Sequence, residues 1–281
     1  MKISFVVPTY NNERTIQACL ASLRQQTHPD IEIVVVDNSS SDRTCSIAVL
    51  LADIVAQQGP ERCAQRNHGT LLSTGEIVVF IDSDMVLEPG VATAIVSAFV
   101  AEPHLGALVI PEHSFGEGFW ASCKVLEKSL YVGDSSVEAP RAFRRDVIES
   151  VGGWDETLTA AEDWDLRDRT RAAGVHVGRI DSFIWHDEGK LRMHGTYGKK
   201  RYYGRWVGEY FSRTGSGSSH LARTSLFSHP TRLARHPVLT TGMLTMKSVE
   251  AAGLFAGMRD ARKLAQASAS AHNESTTRSA A

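Results

Sequence analysis

Apolar residues run unbroken in short blocks through the first half of the chain, and helix-patterned segments separate the blocks. "ISFVV" (3–7), "IEIVVVD" (31–37), "DIVAQ" (53–57), "EIVVFID" (76–82) and "LGALVI" (105–110) are rich in β-branched residues, which predicts five strands. Runs that do not alternate with polar positions suit a sheet buried on both faces, the condition of parallel strands covered by helices. Between them Ile16, Cys19, Leu20 and Leu23 repeat at helical spacing, "SSSD" (39–42) opens the apolar-rich segment 45–51, and a further helix is expected near 88–101. The pattern predicts an α/β fold with a mostly parallel sheet flanked by helices.

From residue 139 the pattern loosens. "APRAFRRDVI" predicts a strand passing into a short helix, "GGWDE" a loop, and "AEDWDLRDRTRAAG" (161–174) a helix stopped at Gly174. "HVGRI" and "SFIWHDE" read as two more strands, and 190–213 as a basic, aromatic helix. "RTGSGSSH" (213–220) predicts a flexible break, 230–264 a helical appendage and 265–281 a disordered tail. The expected division is a domain over 1–189, an appendage over 190–264 and the tail.

Composition changes this picture little. The 281 residues are 42% hydrophobic and 22% charged, ordinary for a globular protein, and the net charge of −2 gives no global field for nucleic acid. Four cysteines without metal-ligand spacing read as reduced thiols of the cytoplasm. "MKISFVVPTYNN" is too short in its apolar part for a signal peptide and reads as a first strand. No apolar run approaches the roughly 20 residues of a membrane span, so the chain is expected to be soluble or peripheral on the cytoplasmic face of a membrane.

In open α/β sheets ligands sit beyond the carboxyl ends of the strands. Four polar groups fall there: Thr9 to Asn12, Asp37 with Asn38, Arg62 to Asn67, and Asp82 with Asp84. Asp82-Ser83-Asp84 ends a buried apolar run, and charge at such a place needs compensation. Two carboxylates two residues apart on a turn can face one hard cation, Mg²⁺ or Mn²⁺, which keeps other positions for water and phosphate oxygens.

"VVPTYNNERTIQACLASLRQQ", "EIVVVDNSSSDRT", "QRNHGTLLSTGEIVVFIDSD" and "GGWDETLTAAEDWDLRDR" resemble, in this order, the motifs of the inverting family-2 glycosyltransferases of the Rossmann-like GT-A fold. The resemblance covers roughly residues 1 to 190. It implies that Pro8, Thr9, Tyr10 and Asn11 cradle the nucleotide, that Asp37 contacts its base, and that Arg62 or Arg66 lies near base or phosphates. Asp82 and Asp84 would hold the ribose and the metal, and His186 would complete the metal and diphosphate site. In "AAEDWD", Asp163 of the Glu162-Asp163 pair matches the base that deprotonates the acceptor hydroxyl. Trp154 and Trp164 suit either stacking on a sugar or packing in the core.

Two departures bear on the product. Processive members carry Gln-x-x-Arg-Trp, whereas here "YYGRW" keeps Arg205 and Trp206 with Tyr202 in place of Gln. Polymer-extruding members also have transmembrane helices. Transfer of a single sugar is therefore expected, from a nucleotide-sugar with UDP favoured, in cell-surface glycan synthesis. A sugar-phosphate nucleotidyltransferase is the enzymatic rival, but "PTYNNERT" lacks the glycines of a triphosphate loop; an inactive nucleotide-sugar-binding protein is the other. Residues 190–235 hold ten Lys or Arg against Glu209 alone, so +9 sits there and −11 in the rest. Leu239, Met243, Met246 and Val249 share one face of the following helix. Basic and amphipathic helices together predict docking on an anionic membrane surface through 190–258 and a polyprenyl-linked acceptor. The alternative is that 237–258 packs on the domain or on a second subunit of a homodimer, with a soluble glycan as acceptor.

Overall fold

The computed structural model describes residues 1–214 and 229–279. Strand and helix alternate at first: β1 (Ile3–Thr9), α1 (Ile16–Arg24), β2 (Ile31–Asp37), α2 (Thr44–Leu51), β3 (Ile54–Gln57), α3 (Arg62–Leu72) and β4 (Ile77–Phe80). There follow β5 (Met85–Leu87), α4 (Val91–Ala101), β6 (Leu105–Val109), β7 (Glu112–Phe115), α5 (Gly118–Ser129), β8 (Ala142–Arg144) and α6 (Arg145–Ser150). The chain continues through α7 (Glu162–Ala172), β9 (His176–Arg179), β10 (Ile184–Asp187), α8 (Met193–Thr214), α9 (Pro230–Arg235) and α10 (Pro237–Ser279).

The central sheet runs β3-β2-β1-β4-β8-β6-β9, and only β8 is antiparallel to its neighbours. Because side chains alternate across a strand, Phe5 and Val7 enter one core with Leu20, Leu23, Ile95 and Phe99. Val6 enters the other with Phe80, Phe143, Trp154 and Leu166. Burial of both faces is the physical reason for the unbroken apolar runs. Thr9, Asp37 and Gln57 stand in register at the carboxyl ends of β1, β2 and β3, and Phe80 pairs with Val6. Asp82, two residues on, therefore lies at the same edge.

A second sheet, β5-β10-β7, stands beside that edge. The sequence predicts neither β5, β7 nor α5. β5 has three residues, and "EHSF" in β7 mixes polar and apolar positions without an apolar run. α5 buries Glu127 among Ala121, Cys123 and Leu126, so its inward stripe is not purely apolar. The break predicted at 213–220 lies, from residue 215 on, outside the described residues.

Of the two expectations for 237–258, the C-terminal helices follow the one in which the segment packs on the domain. Met243 and Met246 are fully buried with Cys123, Leu130 and Tyr131, and Leu239 packs on the same cluster. The face predicted to meet lipid is the face that meets α5. α10 also lies along α8, with glycines at the crossing: a methyl on Gly257 would overlap the Arg201 carbonyl, and one on Gly253 would come within 2.6 Å of the Tyr197 carbonyl. Past Leu264 the helix continues to Ser279, through the stretch predicted to be disordered, where alternate alanines at 265, 267, 269 and 271 carry high helix propensity.

The glycine contacts make a prediction. Alanine normally stabilises a helix by up to about 1 kcal/mol over glycine, but overpacking costs about 1–3 kcal/mol. Gly257→Ala should lower Tm by a few degrees, whereas Gly208→Ala, with open space at its Cβ, should leave it level or raise it. Equal Tm changes in a calorimetric scan would show that α8 and α10 do not pack this closely.

Candidate active site

The carboxyl edge gathers most of the predicted residues, though not all in the roles expected. Pro8 and Thr9 are buried in β1, Tyr10 is exposed, and Asn11 takes a left-handed φ of 48°. Asn tolerates that conformation because its side chain bonds locally, here by accepting the Ser41 N–H at 2.9 Å. Asp37 is fully buried, and its carboxylate accepts the Ser40 N–H (2.7 Å) and the Ser40 hydroxyl, which fixes the turn after β2. Asn12 donates to Ser83 and so ties the β1 turn to the Asp-Ser-Asp turn.

Arginines compensate Asp82. Arg66 Nη2 lies 2.8 Å from Asp82 Oδ1, and Arg141 Nη1 3.4 Å from Oδ2. Burial works against this carboxylate, but Arg66, Arg141 and Arg62 outweigh it and hold its pKa well below the usual range. Arg66, expected near the nucleotide, is 1% exposed and lies under the edge with its guanidinium 4.1 Å over the Trp154 ring. Trp154 is accordingly a core residue, packed edge-on against Phe80. Arg62, one helical turn earlier on α3, is half exposed and lies 2.6 Å from Glu162.

Asp84 faces His186, the residue of β10 paired with Met85 of β5. His186 Nε2 is 3.2 Å from Asp84 Oδ2, and its Nδ1 is 3.1 Å from Glu112 Oε1. Burial opposes a charge on His186, yet the hydrogen bonds with Asp84 and Glu112 outweigh it and raise its pKa to about 10. Asp84 Oδ1 is buried with no hydrogen-bond partner. The orphaned carboxylate oxygen of Asp84 suits a divalent cation, and His186 would join it once a cation displaces the Nε2 proton, with Nδ1 held by Glu112. No group of three or more His, Cys, Asp or Glu gathers for a metal among the described residues, so further ligands would be water and substrate oxygens.

Glu162 and Asp163 begin α7 and differ sharply. Glu162 is 4% exposed and held by Arg62; burial and the neighbouring Asp163 raise its pKa, while Arg62 and Arg66 oppose them. The Asp163 side chain is 48% exposed, with Arg66 Nη1 3.6 Å away. Two connected cavities of about 610 and 290 Å³ meet here, and Arg62, Lys128, Tyr131, Asp163, Trp164 and His186 line both. Asp82 lines the smaller one. A carboxylate is thus open to a cleft that also holds an acidic edge backed by arginines and a histidine–carboxylate pair.

The sequence reading passes over Glu112 and Arg141. Glu112 joins His186, Arg141 Nη2 (2.9 Å) and Lys128 (3.4 Å); burial opposes its ionisation, and Lys128, Arg141 and His186 outweigh it. The available signal was the alternation Glu112-His113-Ser114-Phe115, which sends Glu112 and His186, offset by two positions in the paired strands, to one face.

Residues 4–131 match the family described as Glycosyl transferase family 2. A putative glycosyltransferase of Bacillus subtilis, EpsH, is 39% identical over 93 residues, 31% of this chain and 27% of that protein. An uncharacterized glycosyltransferase of Nostoc is 32% identical over 171 residues, 54% of this chain and 53% of the relative. The chain thus spans about a quarter to a half of the length of these curated relatives. In fold, it is similar to the mannosyltransferase PcManGT of Pyrobaculum calidifontis, solved with GDP-Man and Mn²⁺, at a TM-score of 0.63 and 19% identity over 92% of this chain and 86% of that one. The mostly parallel sheet with its acidic edge is a GT-A fold, and residues 4–131, a little under half of the chain, carry its likeness to glycosyl transferase family 2.

Proposed function

We propose that the chain transfers a single sugar from a nucleotide-sugar to an acceptor hydroxyl with inversion, Asp163 serving as the base. The observation that carries this reading is the contrast at the start of α7: Glu162 is buried against Arg62, whereas Asp163 opens onto the cleft. Inversion requires a base on the face of the anomeric carbon opposite the leaving diphosphate. Asp163 takes the proton of the acceptor oxygen as that oxygen bonds to the anomeric carbon, while the bond to the diphosphate breaks. Asp84 and His186 would hold Mg²⁺ or Mn²⁺, which supplies charge neutralisation for the departing diphosphate. Asp82, fixed by Arg66 and Arg141, would take the donor ribose. Arg62, half exposed at the cleft wall and paired with Glu162, would supply a positive charge toward the donor phosphates.

A UDP-sugar is the favoured donor, with a role in cell-surface glycan synthesis. Among described residues no helix is long and apolar enough to cross a membrane. With the Leu239–Met246 face used in packing, any hold on an anionic leaflet falls to exposed Tyr202, Trp206, Arg205 and Phe255. The deciding experiment is a panel of nucleotide-sugars, read by thermal shift with Mn²⁺ and by release of free nucleotide. One donor should raise Tm and be turned over, and excess chelator should stop turnover. A panel with neither shift nor release rejects the reading; turnover indifferent to chelator rejects the metal.

A further inference from the structure

Opposite Asp163 and Trp164, the larger cavity is lined by four charged side chains that the proposed chemistry does not use: Lys124 and Glu127 of α5, Lys247 and Glu250 of α10. They form a closed ring of alternating charge. Lys124 Nζ lies 2.9 Å from Glu127 Oε2 and 2.8 Å from Glu250 Oε1. Lys247 Nζ lies 2.6 Å from Glu127 Oε1 and 2.7 Å from Glu250 Oε2. The Tyr131 hydroxyl donates to Glu127 Oε1 at 3.2 Å. Lys124, Glu127 and Glu250 are each held in the charged form by their partners. Burial opposes the Lys124 charge, but Glu127 and Glu250 outweigh it; burial likewise opposes Glu250, and Lys124 and Lys247 bring its pKa to about 2.

The ring clamps α10 onto α5, and what it shows to the cavity is mainly Lys247 (28% exposed) and Lys124 (15%), with Glu250 at 8% and Glu127 at 1%. Each ammonium uses two of its three N–H bonds within the ring, so one remains. Each Glu250 oxygen accepts from one ring ammonium, and Lys200 of α8 adds a further cation beside this carboxylate. The ring therefore offers donors and acceptors side by side at no net charge of its own, with Lys199 and Lys200 lining the same cavity. Two vicinal hydroxyls match it, one accepting from an ammonium and the other donating to a carboxylate. A fixed anion or cation would meet a like charge in either register. Trp164, Tyr131 and Tyr203 on the same wall supply the aromatic surface that sugar rings pack against.

We propose that this ring is an acceptor subsite that takes a neutral, polyhydroxylated sugar ring. The proposal rests on the glycosyltransferase reading and deepens it by naming the acceptor class. It also places part of acceptor selection on α10, beyond the segment that matches the family.

The test uses the full chain and the double replacement Lys247→Met with Glu250→Gln, which removes one charge of each sign and leaves the Lys124–Glu127 pair. Saturation-transfer NMR, with UDP or GDP present, would measure binding of neutral methyl glycosides against glucuronate and glucosamine. A neutral glycoside should bind the wild type in preference to both charged sugars. In the double variant binding should weaken on the order of tenfold, the scale of a lost charge-assisted hydrogen bond. Circular dichroism and nucleotide binding should show the fold kept. If the double variant unfolds, Glu250→Asp keeps the charge but shortens its reach, and weaker glycoside binding at unchanged Tm is expected. No neutral binding to wild type, equal binding in the folded variant, or preference for a charged sugar overturns the subsite. Failure of wild type to bind any nucleotide or nucleotide-sugar instead rejects the glycosyltransferase reading, and the glycoside titrations still decide the ring.

Discussion

Asp163→Asn is expected to lower sugar transfer by at least about 10²-fold, the usual contribution of a positioned base, while donor affinity and Tm stay near wild type. The replacement is isosteric and removes the proton-accepting oxygen. The core loses little, because the side chain is 48% exposed and buried Arg66, 3.6 Å away, keeps its closer pairing with Asp82 at 2.8 Å. Glu162→Gln is the informative contrast. Glu162 is buried against Arg62 at 2.6 Å, so its loss leaves a cation uncompensated at the start of α3 and should cost stability. Donor affinity by titration, turnover by nucleotide release and Tm must be measured on both variants. The assignment fails if Asp163→Asn turns over normally, or if donor binding falls in step with turnover. It also fails if Glu162→Gln loses transfer alone with its stability intact.

What could be read from the chain depended on whether a signal was local. β1, β2 and β4 were legible because both faces are buried and the apolar runs are unbroken. Asp82 and Asp84 were legible because carboxylates ending an apolar run demand an explanation, and Glu162 and Asp163 only through the family resemblance. Their partners were not. Arg66 and Arg62 stand one turn apart on α3, and only the tertiary position of Trp154 makes the first a buried residue and leaves the second at the cleft. Asp37 stands at a strand end as a ligand contact would, and each of its oxygens also accepts from Ser40, three residues on, a turn that the sequence pattern alone does not show. α5 and β7 escaped because their inward faces carry Glu127 and Glu112, whose partners come from α10 and β10. The apolar stripe of α10 was read correctly as a stripe, but nothing local says whether lipid or protein covers it. Met243 and Met246 pack on α5.

Replacing Arg66 should have the largest effect on stability. Arg66→Met keeps much of the aliphatic stem but removes a guanidinium buried beneath the site, stacked on Trp154 and paired to Asp82. Breaking a buried pair by deleting one partner costs about 3–5 kcal/mol, mostly because the remaining charge is stranded. At about 2–4 °C per kcal/mol for a chain of this size, Tm should fall by roughly 10 °C. Arg141, 3.4 Å from the other oxygen of Asp82, limits the loss and keeps the variant measurable. Arg66→Met with Asp82→Asn removes the stranded charge as well and should recover part of the Tm, which a double-mutant cycle would read as coupling. The pH dependence has a definite sign. The Asp82 pKa is depressed in the folded state, so its stabilisation is present above the unfolded value, about 3.9, and is lost as pH falls through the folded value. Wild type should therefore lose stability steadily below about pH 4, and Arg66→Met should lose less over the same range because its Asp82 is less depressed. A Tm within a degree or two of wild type, or an acid limb as steep as wild type, would mean that Arg66 is not the counter-charge of the edge. Asp82 would then need a cation, not an arginine, to be stable where the sheet places it.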